Sequence, residues 1–273
     1  MRIGKLRLEW KPRVVAPRPG VDEAVLQFRC NVCGERTSHS FARMDRESPS
    51  CGECGSTVRF RSIVHLLSMH FFGKSLVIDE FPSRHDICGV GMSDWEGYAA
   101  GFARRFQYTN TFYHVEPKLD ILTPPAELLG KQDFVISSEV LEHVPPPPRR
   151  AFDNLAQLLK PGGLLILTVP FSTEAATREH FPELFDYSIE EDQNGRFLRN
   201  RTASGVQQIF RDLVFHGGPG ATLEMRLYAK VDLLALLAQA GFTEIRVRDE
   251  PCFDHGIHHS EPWSLPITAV RAG

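Results

Sequence analysis

No part of this chain is apolar for long. It has no run near the 18 consecutive apolar residues that a membrane-crossing helix takes, so no membrane partner is expected. The opening "MRIGKLRLEWKPRVVAPRPG" is basic but lacks an apolar core of about seven residues, so it does not read as a secretory signal. Lys/Arg-rich runs are missing too, and a net charge of −3 gives a polyanion no field to follow. Internal repeats and low-complexity tracts are absent apart from the proline run at 145–148. Cysteine is scarce, at six residues, and without a leader these read as thiols kept reduced in the cytoplasm rather than as a disulfide scaffold. A hydrophobic share of 42% over 273 residues suffices for one large domain, or a modest domain with a small appendage.

Four of the six cysteines are paired. Cys30 and Cys33 form one Cys-x-x-Cys knuckle, Cys51 and Cys54 a second, with 17 residues between them. A glycine follows each knuckle, at Gly34 and Gly55, where a positive φ lets backbone amides turn toward the sulfurs. Four soft ligands on two short turns suit a tetrahedral, structural zinc ion and leave no open position for catalysis. Residues 1–58 therefore read as an N-terminal arm and a zinc ribbon. The helical spacing of "VRFRSIVHLLSMHFF" reads as a connecting helix over 59–74. Arg59 and Arg61 at its start could meet a phosphate or a carboxylate, or remain solvated.

Beyond residue 75 short apolar runs alternate with amphipathic segments, the pattern of an α/β fold with a parallel sheet. Strands are expected near 76–80, 86–90, 111–116, 133–138 and 164–169, with helices at 95–106 and 148–159. An irregular insertion at 171–229 precedes a helix at 230–240 and a closing antiparallel pair near 243–248 and 265–270. In such sheets ligands bind at the carboxyl ends of the strands where the strand order reverses. Three loops qualify. In "DICGVGMSDWEG", Gly89 and Gly91 make a tight turn and Ser93 or Asp94 would cap the next helix. In "HVEPKLDI", Glu116 would end a strand and accept the hydroxyls of a ribose, with Asp120 and Ile121 meeting an adenine. The third loop is "ISSEVLEHVPPPP".

The combination of "DFVISSEVLEHVPPP", the helix "RRAFDNLAQLL" and "LKPGGLLILTVP" resembles the class I S-adenosylmethionine-dependent methyltransferases, specifically the type 11 and type 12 group. The resemblance covers about 84–170, with a looser fit over 230–270. It implies a Rossmann-like seven-stranded sheet with helices on both faces, here carrying the zinc ribbon at its N-terminus. It also implies an S-adenosylmethionine-binding domain over 75–273. Gly89 and Gly91 would face the methionine part, Glu116 the ribose, and Asp120 and Ile121 the adenine. Ser137, Ser138 and Glu139 would line the inner wall. The chain departs from the group at "CGVGMSD", where serine replaces the third glycine. "VIDE" at 77–80 is a rival first strand, which would make Asp94 the ribose ligand.

Methyl transfer asks for in-line positioning and, with a hydroxyl or amine acceptor, removal of a proton. His216, before the glycines of "FHGGPG", is the preferred base and His143 the second, with Glu142 as a polar wall residue or a further base. His180 and Glu183 read as a surface pair at helical spacing, and the 171–229 insertion as the acceptor side, where His180, Asp186, His216 and Glu224 suit a polar acceptor. The tail "DHGIHHSEPW" brings His255, His258 and His259 near Asp254 and Glu261, a possible metal cluster. The leading reading is methyl transfer to a small-molecule or carbohydrate-like acceptor, as in sugar, surface-glycan or natural-product pathways. The alternatives are a ribosomal RNA methyltransferase that uses the ribbon on RNA, and a binding protein that keeps the fold without catalysis.

Overall fold

The computed structural model describes residues 12–15, 24–216 and 222–273. Most of the N-terminal arm and the glycines of "FHGGPG" lie outside the described residues. The chain divides into two compact units. One takes Met1–Pro82, Glu96–Gly101 and Asp249–Ser260; the other takes Ser83–Trp95, Phe102–Arg248 and Glu261–Gly273.

In the first unit β1 (Arg13–Val15), β2 (Val25–Arg29) and β3 (Arg36–Ser40) form an antiparallel sheet in chain order. Helix α1 (Val58–Phe72) starts where the Thr57 hydroxyl accepts the Phe60 N–H and stops at Gly73 in the left-handed region, φ +67°. Its buried side includes Val58, Ile63, Val64 and Leu67. The tail histidines each have a separate post here. His255 Nδ1 donates to the Arg29 carbonyl at 2.7 Å, His258 stacks on Phe41 at 4.5 Å, and His259 Nε2 lies 3.4 Å from Ser62 Oγ. They do not form the metal cluster read from "DHGIHHSEPW"; among the described residues the ligand-dense groups lie elsewhere.

The second unit is built on β4 (Arg84–Met92), β5 (Phe106–Thr111), β6 (Gln132–Ser138) and β7 (Leu159–Thr168), with α3 (Arg149–Leu158) before β7; helix α2 (Glu96–Arg105), before β5, is divided between the units at Gly101. After β7 come the short strands β8 (Phe171–Ser172) and β9 (Arg178–Glu179). The strands β10 (Asp186–Asp192), β11 (Gly195–Arg201) and β12 (Gln207–Phe210) form an antiparallel meander. A hairpin of β13 (Phe215–His216) and β14 (Thr222–Leu223) follows, then β15 (Arg226–Ala229), α4 (Lys230–Gln239), β16 (Phe242–Val247) and β17 (Ile267–Arg271). The main sheet runs β5-β4-β6-β7-β17-β16. Its first four strands are parallel, and β17 is antiparallel to both neighbours. β6 and most of β7 are buried along their length, as strands covered on both faces must be.

Several expectations need correction. The sheet has six strands among the described residues, not seven. The 112–131 stretch carries Pro117, Pro124 and Pro125, which lack the N–H that a ladder needs, and it makes only one bridge, Phe112 to Lys118. Residues 76–80 are no strand; Ile78–Glu80 make one 3-10 turn. The strand placed near 111–116 runs over Phe106–Thr111, because Phe106 and Tyr108 alternate inward and pack on Phe134. The insertion is β-rich rather than irregular and has its own small core of Phe181, Leu198, Leu223 and Met225.

Gly89 fills a packing need. A Cβ on it would overlap the Phe134 ring on the neighbouring strand β6. Gly89→Ala is therefore expected to cost about 1–3 kcal/mol, lowering the thermal midpoint by several degrees. An unchanged midpoint would show that Phe134 can move aside.

Candidate functional site

The two cysteine knuckles close as their sequence suggests. The Gly34 N–H donates to the Cys30 carbonyl at 2.9 Å and the Gly55 N–H to the Cys51 carbonyl at 3.0 Å, with φ of +83° and +72°. Cys30 and Cys54 sulfurs stand 3.7 Å apart, Cys33 and Cys51 sulfurs 3.8 Å. A tetrahedron with sulfurs about 2.3 Å from its centre has edges of about 3.8 Å; these two pairs match that length, and all four sulfurs lie within 4.8 Å of one another. Packing them together without a cation divides their acidities. Hydrogen bonds from Cys30 and Cys51 hold Cys54 well below the ordinary thiol range, while burial pushes Cys33 up to about 12. Arg61 is wholly buried beneath the knuckles and donates to the Ser56 carbonyl at 2.7 Å, Ser50 Oγ at 2.7 Å and the Gly256 carbonyl at 2.8 Å. Arg59 meets a carboxylate, Glu47, with two hydrogen bonds of 2.9 Å. The buried Arg61 cannot reach an external phosphate.

In the second unit the strand order reverses beside β4, between β5 and β6, which makes the carboxyl ends of these strands the crevice for a ligand. Ser93, in the third glycine's place, adopts φ +59° and donates its N–H to the Thr111 carbonyl at 2.6 Å. A serine thus takes the left-handed turn that a glycine would have eased. Gly91 makes room for protein: a Cβ there would overlap the Asp94 carboxylate and the Tyr108 hydroxyl. Tyr108 donates to Asp94 at 2.5 Å, and the Asn110 side chain both accepts the Asp94 N–H and donates to its carbonyl. Asp94 is 4% exposed and ties β4 to β5. The rival ribose assignment therefore lacks its strand and has its carboxylate turned inward. Nor does Ser93 or Asp94 cap α2; Trp95 stands at that position.

Glu116 lies five residues beyond β5 rather than at its end. It is exposed, and its carboxylate accepts the Lys118 N–H at 2.9 Å. Asp120 accepts the Leu122 N–H at 2.9 Å, and buried Ile121 offers its carbonyl to Asn154 at 2.7 Å. An open cleft of about 640 Å³ is lined by Tyr113, His114, Lys118, Asp120, Thr123 and Pro125. At the end of β6, Ser138 bonds Thr168 at 2.9 Å, and Glu139, at φ +56°, donates its N–H to the Thr168 carbonyl. The Ser137 hydroxyl is fully buried and has no hydrogen-bond partner. A buried hydroxyl without a partner at a ligand crevice fits a group supplied by a ligand.

The two histidines singled out as bases come together, although 73 positions separate them in the chain. Glu142 and His143 lie on the 3-10 turn Leu141–His143 just after β6, and His216 closes the short strand β13. The two rings stand 4.9 Å apart, edge to face. His143 Nε2 lies 3.6 Å and His216 Nδ1 4.0 Å from Glu142 Oε1, whose side chain is fully buried. Burial lowers the His143 pKa below the ordinary histidine range. His216 Nε2 lies 3.0 Å from Glu224, and the other oxygen of Glu224 takes His180 Nε2 at 2.7 Å. His180 therefore pairs with Glu224, not with Glu183 on a helix. β15 secures the turn: buried Arg226 donates to the Val144 carbonyl at 2.5 Å and pairs with Glu179 at 2.7 Å, while the Tyr228 hydroxyl donates to the Leu141 carbonyl at 3.2 Å. Arg226 was not singled out from the sequence. A lone arginine amid the apolar residues of "EMRLY" is the available signal for a buried charge.

The family model described as "Methyltransferase domain" matches residues 73–246, well over half of the chain. The chain belongs to the methyltransferase-domain family. A search of curated proteins finds no match. Among solved structures it is similar to the CurJ carbon methyltransferase, at 15% identity and a TM-score of 0.46, covering 78% of this chain and 55% of that one. It is also similar to the Burkholderia thailandensis 1,6-didemethyltoxoflavin-N1-methyltransferase solved with its substrate and S-adenosylhomocysteine, at 13% identity and a TM-score of 0.42, covering 78% of each. The sugar N-methyltransferase KedS8 from Streptoalloteichus is 13% identical with a TM-score of 0.44, covering 78% of this chain and 86% of that one. At such identities and TM-scores no substrate carries over. Among the described residues no helix is long and apolar enough to cross a membrane.

Proposed function

We propose that this chain is an S-adenosylmethionine-dependent methyltransferase acting on a small-molecule or carbohydrate-like acceptor. The observation that carries the reading is the convergence of Glu142, His143, His216 and Glu224 just beyond β6, on the carboxyl side of a sheet whose family transfers methyl groups. S-adenosylmethionine would supply a methyl on a sulfonium, already a good leaving group, so the protein's task is to bind, align and remove a proton. Gly89 and Gly91 lie within β4 rather than in the expected tight turn; the end of that strand would flank the methionine part and the Ser137–Glu139 wall the inner side, with the Ser137 hydroxyl finding there the partner it lacks in the protein. Asp120 and Ile121 would meet the adenine, and Glu116 the ribose. The acceptor's proton would be removed beside the His143–Glu142–His216 cluster. The 171–229 insertion, which supplies His180 and His216, would form the acceptor side. A structural zinc would be held by Cys30, Cys33, Cys51 and Cys54.

Transfer of labelled methyl from S-adenosylmethionine is tested over nucleotide sugars, small alcohols and total RNA. Labelling of a small acceptor supports the reading; labelling of RNA alone overturns the acceptor class. Glu116 has its own test. Glu116→Ala is expected to weaken S-adenosylhomocysteine binding about tenfold, the loss of roughly one charge-assisted hydrogen bond, with an unchanged melting temperature. Unchanged affinity by titration calorimetry would remove Glu116 from the site.

A further inference from the structure

The histidine pair holds more order than a base requires. His143 Nδ1 stands 3.0 Å from the Leu223 carbonyl. A carbonyl only accepts, so Nδ1 carries the hydrogen and Nε2 presents its lone pair toward Glu142. His216 is held the other way round. Its Nε2, 3.0 Å from Glu224 Oε2, donates to that carboxylate, and its Nδ1 presents a lone pair toward the same Glu142 oxygen. His180 in turn fixes Glu224 at 2.7 Å. Two imidazole lone pairs and one carboxylate oxygen thus face one another, with all three ligand atoms within 4.8 Å. Lone pairs so arranged repel unless something positive lies between them. A single metal ion placed between them satisfies all three ligands at once.

We propose that Glu142, His143 and His216 hold a first-row divalent cation, with the Leu223 carbonyl and Glu224 as the outer partners that orient the two imidazoles. Its role in methyl transfer rests on the function proposed above; its binding does not. Carboxylate and imidazole ligands bonded at about 2.0–2.2 Å lie about 3.0–3.5 Å apart, so the 3.6 and 4.0 Å separations close by roughly half an ångström on loading. Two histidines and one carboxylate suit Mn²⁺, Fe²⁺ or Zn²⁺ and leave coordination positions open, unlike the four-thiolate ribbon. The open positions select an acceptor that offers a hydroxyl oxygen. Drawn to the cation, that hydroxyl gives its proton to water and keeps the O–H electron pair. The oxygen bonds to the methyl carbon as the carbon–sulfur bond breaks, its electron pair staying on sulfur.

The test uses the full chain with its ribbon intact and Mn²⁺ as the probe, because thiolates do not favour Mn²⁺. Free Mn²⁺ is followed by electron paramagnetic resonance during a titration. The expected result is one site in the wild-type chain, weakened more than about 100-fold in Glu142→Gln and in His216→Ala, and about tenfold in His180→Ala, which loosens only an outer partner. Thermal midpoints confirm that the variants fold, and Glu142→Gln keeps the volume of the buried side chain. No binding of Mn²⁺, Fe²⁺ or ribbon-independent Zn²⁺ by the wild type would overturn the site, as would a His216→Ala chain that binds as well as wild type. Binding of S-adenosylhomocysteine without Mn²⁺ overturns the metal alone. Mn²⁺ binding without S-adenosylhomocysteine leaves the metal standing and sinks the methyltransferase reading.

Discussion

A Cys33→Ser, Cys54→Ser double variant is expected to lose the zinc that the knuckles are proposed to hold and, with it, the fold of residues 24–58. Two sulfur pairs stand at the edge length of a zinc tetrahedron, and all four sulfurs lie within 4.8 Å of one another. The apolar side chains buried around them are few, chiefly Leu26, Phe28, Val32 and Met44, and β3 and the Phe41–Arg43 turn contribute no buried residue. Where metal ligation closes so small a module, the binding energy is the folding energy, on the order of 10 kcal/mol. The measurements are zinc content by mass spectrometry and protease sensitivity within residues 24–58. A wild-type chain that carries no tightly held zinc, or a double variant as protease-resistant as wild type, would contradict the assignment. The buried Arg61 sharpens the expectation, since two of its partners, Ser50 and Ser56, flank the second knuckle.

The second large effect is expected at His216. Replacing it with alanine should lower the methyl-transfer rate about 10²–10⁴-fold, the range for losing a group on which removal of the acceptor's proton depends. Affinity for S-adenosylhomocysteine should stay within about twofold of wild type. The ring lies on the insertion, 40% exposed, so its loss leaves the sheet intact. Single-turnover transfer and calorimetry on the same preparation separate the two quantities. A parallel loss of cofactor affinity would place His216 on the cofactor side instead.

Much of the architecture was legible in residue patterns. The buried run of β6, the α3 helix after four prolines and the "LKPGG" entry to β7 lie where periodicity and turn chemistry put them. So does the closing pair β16–β17. Misreadings came where short apolar stretches had two uses. Val77 and Ile78 are buried, but in a turn rather than a strand. "FYHVEP" looks like a strand, while the true alternation is "FQYTNT" just before it, so Glu116 moved out of the strand-end position. The insertion hid its meander, although Asn194-Gly195 between alternating segments is a hairpin signal; Gly195 takes φ +103° at that turn. Within the site, residue type pointed to His143 and His216 separately. Their meeting around Glu142 depends on β15 docking beside the β6 turn, a long-range contact that local patterns do not encode. The glycines of the first loop were read as space for a ligand, and Gly89 and Gly91 proved to be space for Phe134, Asp94 and Tyr108.

The central claim is that the crevice at the ends of β4, β5 and β6 binds S-adenosylmethionine. Titration calorimetry of the wild-type chain with S-adenosylhomocysteine tests it most directly. One site per chain, weakened by Glu116→Ala and little changed by His216→Ala, is the predicted result. No heat at high micromolar ligand, from a chain shown to be folded, would contradict it.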